Sequence, residues 1–167
     1  MLENDEILEL FKKSLTATIK SIGKSDEIEV NFVQDKPSIN GNIINILEPN
    51  HNLIREKLNY IRAQADSMAL EFRLHEKKIH KDYISKNDLT NEIFNAIELS
   101  RVEAKGSKLF KGIKENIFSK HKSDLTSSNL SSSNENQLVQ AFRYVSYSEL
   151  TGKNLSSKNY KNYNKLI

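Results

Sequence analysis

The sequence has no cysteine and no tryptophan, and only two prolines and five glycines among its 167 residues. The lack of cysteine excludes disulfides, thiolate metal ligands and cysteine nucleophiles. No GxxxxGK[ST], GxGxxG or GxSxG segment occurs. A P-loop, a dinucleotide-binding turn and a nucleophile elbow are thereby ruled out. An Asp-x-Ser-x-Ser run is also missing, and with it a metal-dependent adhesion site of the von Willebrand type. No apolar run approaches the ~20 residues that cross a membrane. Met1 to Glu6 lacks the basic segment and apolar core of a signal peptide. These absences lead to the expectation of a cytoplasmic protein with no membrane contact. The net charge is +3 and no segment is a dense Lys/Arg block, so nucleic acid is not indicated as a partner.

What is present is 37% hydrophobic and 28% charged residues, polar for a globular chain yet too apolar for disorder throughout. Lys, Asn and Ile are abundant, which we read partly as codon bias, so single surface lysines carry little weight. The apolar residues fall into periodic stripes. Ile7, Leu8, Phe11, Leu15, Ile19 and Ile22 predict a helix over 5–22, with Gly23 placed to end it in a left-handed turn. Ile28, Val30 and Phe32 alternate with polar residues, which predicts a strand over 27–33. After a loop with Pro37 and Asn40-Gly41, Ile43 to Leu47 reads as a second strand, paired with the first as a hairpin.

Ile54, Leu58, Ile61, Ala65, Met68, Phe72, His75 and Ile79 step by four and three, predicting one helix over 52–83. Asn87 or Asp88 can cap a further helix running to about His121. The short link between these helices makes them antiparallel neighbours. The expected fold is mainly α with a small β-hairpin: a long antiparallel helix hairpin plus an N-terminal helix. The expected divisions are a helical domain over 1–122, a Ser/Asn-rich linker over 123–136, a short helix over 137–152 stopped by Gly152, and a disordered basic tail over 153–167.

Two segments could carry chemistry. His75-Glu76-Lys77-Lys78-Ile79-His80 resembles HExxH but has one residue too many. Its histidines stand about 140° apart round a helix and cannot easily share one ion. In the second segment Arg101 falls on the apolar stripe of Phe94 and Ile97, where a partly buried arginine needs a carboxylate. Counting from the turn near Lys86 puts Glu98 opposite His75 and Glu76. The expectation is a structural or interaction cluster of His75, Glu76, His80, Glu98, Arg101 and Glu103, with no catalytic residue and no metal. Gly106, inside the same helix, reads as a site of close helix packing.

These segments resemble the N-terminal region of the CobT-type subunit of the aerobic, ATP-dependent cobaltochelatase. Asp66-Ser67-Met68-Ala69-Leu70, then Arg73-Leu74-His75-Glu76 and His80, are similar to its Ala-Asp-x-x-Ala-Leu stretch and His-Asp/Glu-x-x-x-His segment. Phe94 to Gly106, containing Glu98, Arg101-Val102-Glu103-Ala104 and Gly106, resembles its Glu-x-x-Arg-Val-Glu-Ala-x-Gly helix. The helix Phe11 to Ile22, the strand Ile28 to Phe32, the loop Asp35-Lys36-Pro37 and the end Glu149-Leu150-Thr151-Gly152 extend the likeness over most of 7–152.

The resemblance implies a part in inserting cobalt into a corrin-ring precursor of cobalamin, with an AAA+ ATPase subunit and a large tetrapyrrole-binding subunit as partners, and self-association as a further option. ATP, Mg and cobalt would be used by the complex, with no cofactor on this chain. The family continues into an acidic stretch and a von Willebrand A domain, and this sequence stops at Ile167 before both. The expectation is therefore a fragment or short form, non-catalytic by itself. A generic helical interaction module and a small metal-binding or hydrolytic enzyme built on His75 and His80 are the competing readings.

Overall fold

A computed structural model describes residues 2–127 and 133–167, without the side chains of 2–4, 52–57 and 127. The described chain is mainly helical with one small sheet. It divides into two compact units, 1–73 and 74–167.

The first unit begins with α1 (Leu2–Gly23). Leu15, Ile19 and Ile22 are buried on its inner stripe, whereas Ile7 at its start is exposed. The left-handed residue after this helix is Lys24 (φ 57°), not Gly23. Gly23 is required for space instead. A Cβ there would collide with Ile28 Cδ1 and lie 3.5 Å from Phe72 Cδ1. Since Ile28 is itself buried, it has little room to yield. Gly23→Ala is expected to cost about 1–3 kcal/mol by overpacking. Urea denaturation checks this, and an unchanged midpoint would refute the crowding.

The sheet differs from the expected hairpin. β1 (Glu29–Val33), β2 (Ser38–Asn40) and β3 (Ile43–Leu47) lie in the order β1-β3-β2. β1 pairs with β3 in parallel, Val30 opposite Ile44 and Phe32 opposite Ile46. The hairpin is between β2 and β3, turning at Gly41, whose φ of 59° suits glycine. The loop after β1 thus holds a third strand, which lets the chain cross over and enter β3 in the same direction as β1. Ile44 and Ile46 point into the core. Asn31, Asn45 and Ser38 hydrogen-bond in a row across the three strands, at 3.3 and 3.0 Å, and so tie the register. Lys12 of α1 bonds Glu48 just past β3 at 2.9 Å. The unit continues into α2 (His51–Leu74), which buries Ile61, Ala65, Met68, Ala69 and Leu70.

The single helix expected over 52–83 is broken at His75 and Glu76. α2 ends at Leu74, and a short α3 (Lys77–Asp82) follows with no buried residue. The helix expected over 88–121 is broken too, at Phe110, between α4 (Asp88–Leu109) and α5 (Lys111–Ser127). Phe110 is extended (φ −135°), and the glycines on either side, Gly106 and Gly112, weaken helix propensity there. Asn87 caps α4, its side chain accepting from Thr90 N–H at 2.9 Å. Within the second unit, α4 packs along α6 (Asn134–Thr151) and against α5.

Part of the expected linker, 123–127, is the last turn of α5, with Leu125 fully buried. Residues 128–132 lie outside the described residues. Gly152, left-handed at φ 64°, ends α6. The expected disordered tail contains α7 (Lys158–Tyr163), packed on α5 and α6, with Leu155 and Tyr163 buried. Among the described residues no helix is long and apolar enough to cross a membrane.

Candidate functional site

The second unit gathers most of the sequence-predicted polar residues at the break after α2. His75 Nδ1 lies 3.0 Å from Glu98 Oε1. Arg101 grips the same carboxylate through Nε and Nη2, each at 2.7 Å. Its Nη2 also donates to the carbonyl of Leu74 at 3.1 Å. That carbonyl is among those a helix end leaves unpaired, and the guanidinium satisfies it. The helix therefore stops where Arg101 and Glu98 capture its last turn, one residue before His75. The bidentate contact holds the Glu98 carboxyl below its ordinary range against the opposing effect of burial, with His75 adding to the shift.

Glu76 is exposed and reaches Arg101 only through its charge. His80 joins by ring contacts, edge-on to His75 at 4.6 Å and stacked on Phe94 at 4.6 Å. Among the described residues no group of three His, Asp or Glu is arranged to hold a metal ion. Arg101→Leu is expected to cost about 1 kcal/mol, a modest figure because the side chain is 41% exposed and screened. Urea unfolding measures it, and an unchanged midpoint would sink the capping role.

Glu103 does not belong to this cluster. It faces the other way on α4 and is 2% exposed. Its Oε2 receives Nε2 of His121 from α5 at 2.8 Å and Nη2 of Arg143 from α6 at 2.6 Å. Arg143 Nη1 donates to Ser100 Oγ at 2.7 Å, and Ser100 is itself fully buried between α4 and α6. Tyr147 lies over the His121 ring at 4.4 Å, and Tyr144 meets it edge-on at 5.3 Å. One buried carboxylate thus joins three helices.

The electrostatics follow from these contacts. Burial opposes ionisation of Glu103, but the Arg143 charge, with the hydrogen bonds from Arg143 and His121, overrides it and holds the carboxyl far below its ordinary range. For His121 burial wins and lowers the pKa, aided by the Arg143 charge and resisted by Glu103. His121 is therefore neutral, donating from Nε2, with Nδ1 buried and without a hydrogen-bond partner. Burial also pushes the Tyr147 hydroxyl up to about 12.

Sequence reading missed His121, Arg143 and Ser100. The signal available was Glu103 itself, a carboxylate next to Val102 and Ala104 on the buried face of a helix, which needs a cation. Nothing in linear spacing pointed to residues 18 and 40 positions away.

Comparison with known families settles the kinship. The family model described as cobalamin biosynthesis protein CobT matches residues 5–163. The chain belongs to the CobT family. No solved structure matches it. Family membership ties this CobT-family chain to cobalamin biosynthesis. The match spans both compact units and includes α7, and both carboxylate clusters lie within it.

Proposed function

We propose that this CobT-family chain is a non-catalytic subunit region of the ATP-dependent cobaltochelatase, acting in assembly with the AAA+ subunit while cobalt is inserted into a corrin-ring precursor. The observation that carries the reading is the family match over 5–163. The state of the ionisable groups supports the non-catalytic part. Glu98 is engaged by Arg101 and His75, and Glu103 by Arg143 and His121, so the carboxylates of the family motif tie helices together. The assembly part is supported by Ile79, Tyr83 and Ile84, large apolar side chains each more than half exposed on and just after α3.

The test is co-purification of this chain with the AAA+ subunit, with and without ATP. Association is expected, and Ile79→Ser with Tyr83→Ser is expected to weaken it while leaving the circular dichroism spectrum unchanged. No association in either nucleotide state would overturn the reading in favour of an interaction module with other partners.

A further inference from the structure

The break between α2 and α3 removes the premise that kept two histidines apart. On one continuous helix His75 and His80 would stand about 140° round the axis from each other. In the structure His75 lies in the gap after Leu74, and His80 lies in α3. Their rings meet, with centres 4.6 Å apart and planes at 66°. Two imidazoles that share one ion have ring centres about 4.5–5.2 Å apart, given nitrogen–metal bonds of about 2.0–2.1 Å and angles from about 90° to tetrahedral. The spacing of His75 and His80 lies inside that range.

A second observation is the carboxylate behind His75. Glu98 Oε1 lies 3.0 Å from His75 Nδ1. Arg101 holds Glu98 ionised, so the carboxylate oxygen accepts and Nδ1 carries the proton. In the neutral ring Nε2 then bears the lone pair. A carboxylate on one ring nitrogen is the common support of a histidine that ligates through the other, because it fixes both tautomer and ring orientation. Arg101 grips that carboxylate at two points, so the support is itself fixed. His80 is oriented by its stack on Phe94, and its ring nitrogens hydrogen-bond to no described residue. Both rings are partly exposed, which gives an ion a route from solvent. α3 buries no residue, so His80 can settle on an ion without disturbing a core.

We infer that His75 and His80 together bind one divalent transition-metal ion of the zinc or nickel type through their imidazole nitrogens, with Glu98 as a positioning residue behind His75. Imidazole suits such ions, whereas magnesium and calcium take oxygen ligands. Two protein ligands leave the other coordination positions to water. A structural zinc site is closed by four protein ligands, so this ion is exchangeable and the fold does not depend on it. The site is independent of the chelatase reading, and failure of co-purification with the AAA+ subunit would leave it standing.

The test is isothermal titration calorimetry on the untagged 167-residue chain, with zinc, nickel and magnesium chloride in separate arms. Saturable binding of one equivalent of zinc or nickel is expected, and none of magnesium. His75→Ala and His80→Ala are each expected to weaken binding about tenfold or more, equivalent to ~1.4 kcal/mol. Circular dichroism should show both variants folded, His80→Ala in particular, since α3 contributes nothing to the core. Glu98→Ala is expected to weaken binding by about tenfold. It should also move the ring-nitrogen NMR shifts of His75 away from the Nδ1–H tautomer, which loss of a helix contact alone would not do. As a control, His51→Ala removes a partly exposed histidine elsewhere and is expected to leave affinity unchanged. Failure of both zinc and nickel to bind overturns the inference. So does full affinity in either His75→Ala or His80→Ala, or an equal loss in His51→Ala, which would reduce the effect to general attraction of metal to surface histidines.

Discussion

Glu103→Ala is expected to destabilise the second unit by about 3–5 kcal/mol, because it leaves the Arg143 guanidinium buried without its carboxylate. Arg143 is 11% exposed and reaches Glu103 at 2.6 Å, so water cannot take over the role of the lost partner without opening the α4–α6 contact. His121 loses the acceptor for Nε2 at the same time. Against total stabilities of about 5–15 kcal/mol for a folded domain, this is a large share. Urea unfolding followed by circular dichroism measures it. The paired variant Glu103→Leu/Arg143→Met removes both charges together and is expected to recover much of the loss. A loss under about 1 kcal/mol in Glu103→Ala would show that the buried carboxylate does not join the three helices as described.

The same cluster fixes the sign of the pH dependence. His121 has a lowered pKa in the folded chain, so the unfolded chain binds the proton first as pH falls. Its contribution is fully present above the unfolded histidine value of about 6.5 and declines below it. Glu103 is also lowered, and its contribution is lost only below the unfolded carboxylate value of about 4.3. Both effects run the same way: stability falls on acidification, first through His121 and later through Glu103. His121→Phe is expected to abolish the earlier decline and leave the later one, read from urea midpoints across pH.

The residues that sequence analysis could place were those whose partners are local or sit opposite across a turn. The apolar stripes of α1 and α2 are periodic, so Leu15, Ile19, Ile61, Ala65 and Met68 are buried where the period puts them. Counting back from Lys86 brought Glu98 to His75 because that segment is nearly symmetric about the turn. The helix break between them was hidden, since its cause is a tertiary contact: the Arg101 guanidinium on the Leu74 carbonyl. The direction of β1 against β3 was hidden for a related reason. Two apolar strands pair equally well either way, and the decision lay in Ser38 to Asn40, too short and polar to read as a strand. Glu103 was grouped with Glu98 and Arg101 by its position in the motif, although five residues along a helix from Glu98 carries it to a different face.

The clearest departure is the C-terminal segment, and it yields the second large expected effect. Four lysines, few apolar residues and no acid made 153–167 read as a solvated tail. On that reading, Leu155→Ala and Tyr163→Ala would leave stability unchanged. In the structure Leu155 is fully buried and Tyr163 is 2% exposed, with its ring stacked at 6.1 Å on Tyr144 of α6. Polar contacts hold the segment from both sides. Ser148 Oγ donates to the Lys153 carbonyl at 2.7 Å, and Asn159 Nδ2 to the Leu125 carbonyl at 2.6 Å. Two apolar anchors thus suffice to dock an otherwise polar stretch, which is why composition alone missed it. Leu155→Ala is expected to cost about 2–5 kcal/mol and Tyr163→Ala about 3–5 kcal/mol. Both losses should appear as lower urea midpoints, whereas Lys161→Ala, exposed on the same helix, should change little. Unaltered midpoints in both core variants would return the segment to a solvated tail. They would also remove α7 as the cover for the Tyr144 side of the buried carboxylate cluster.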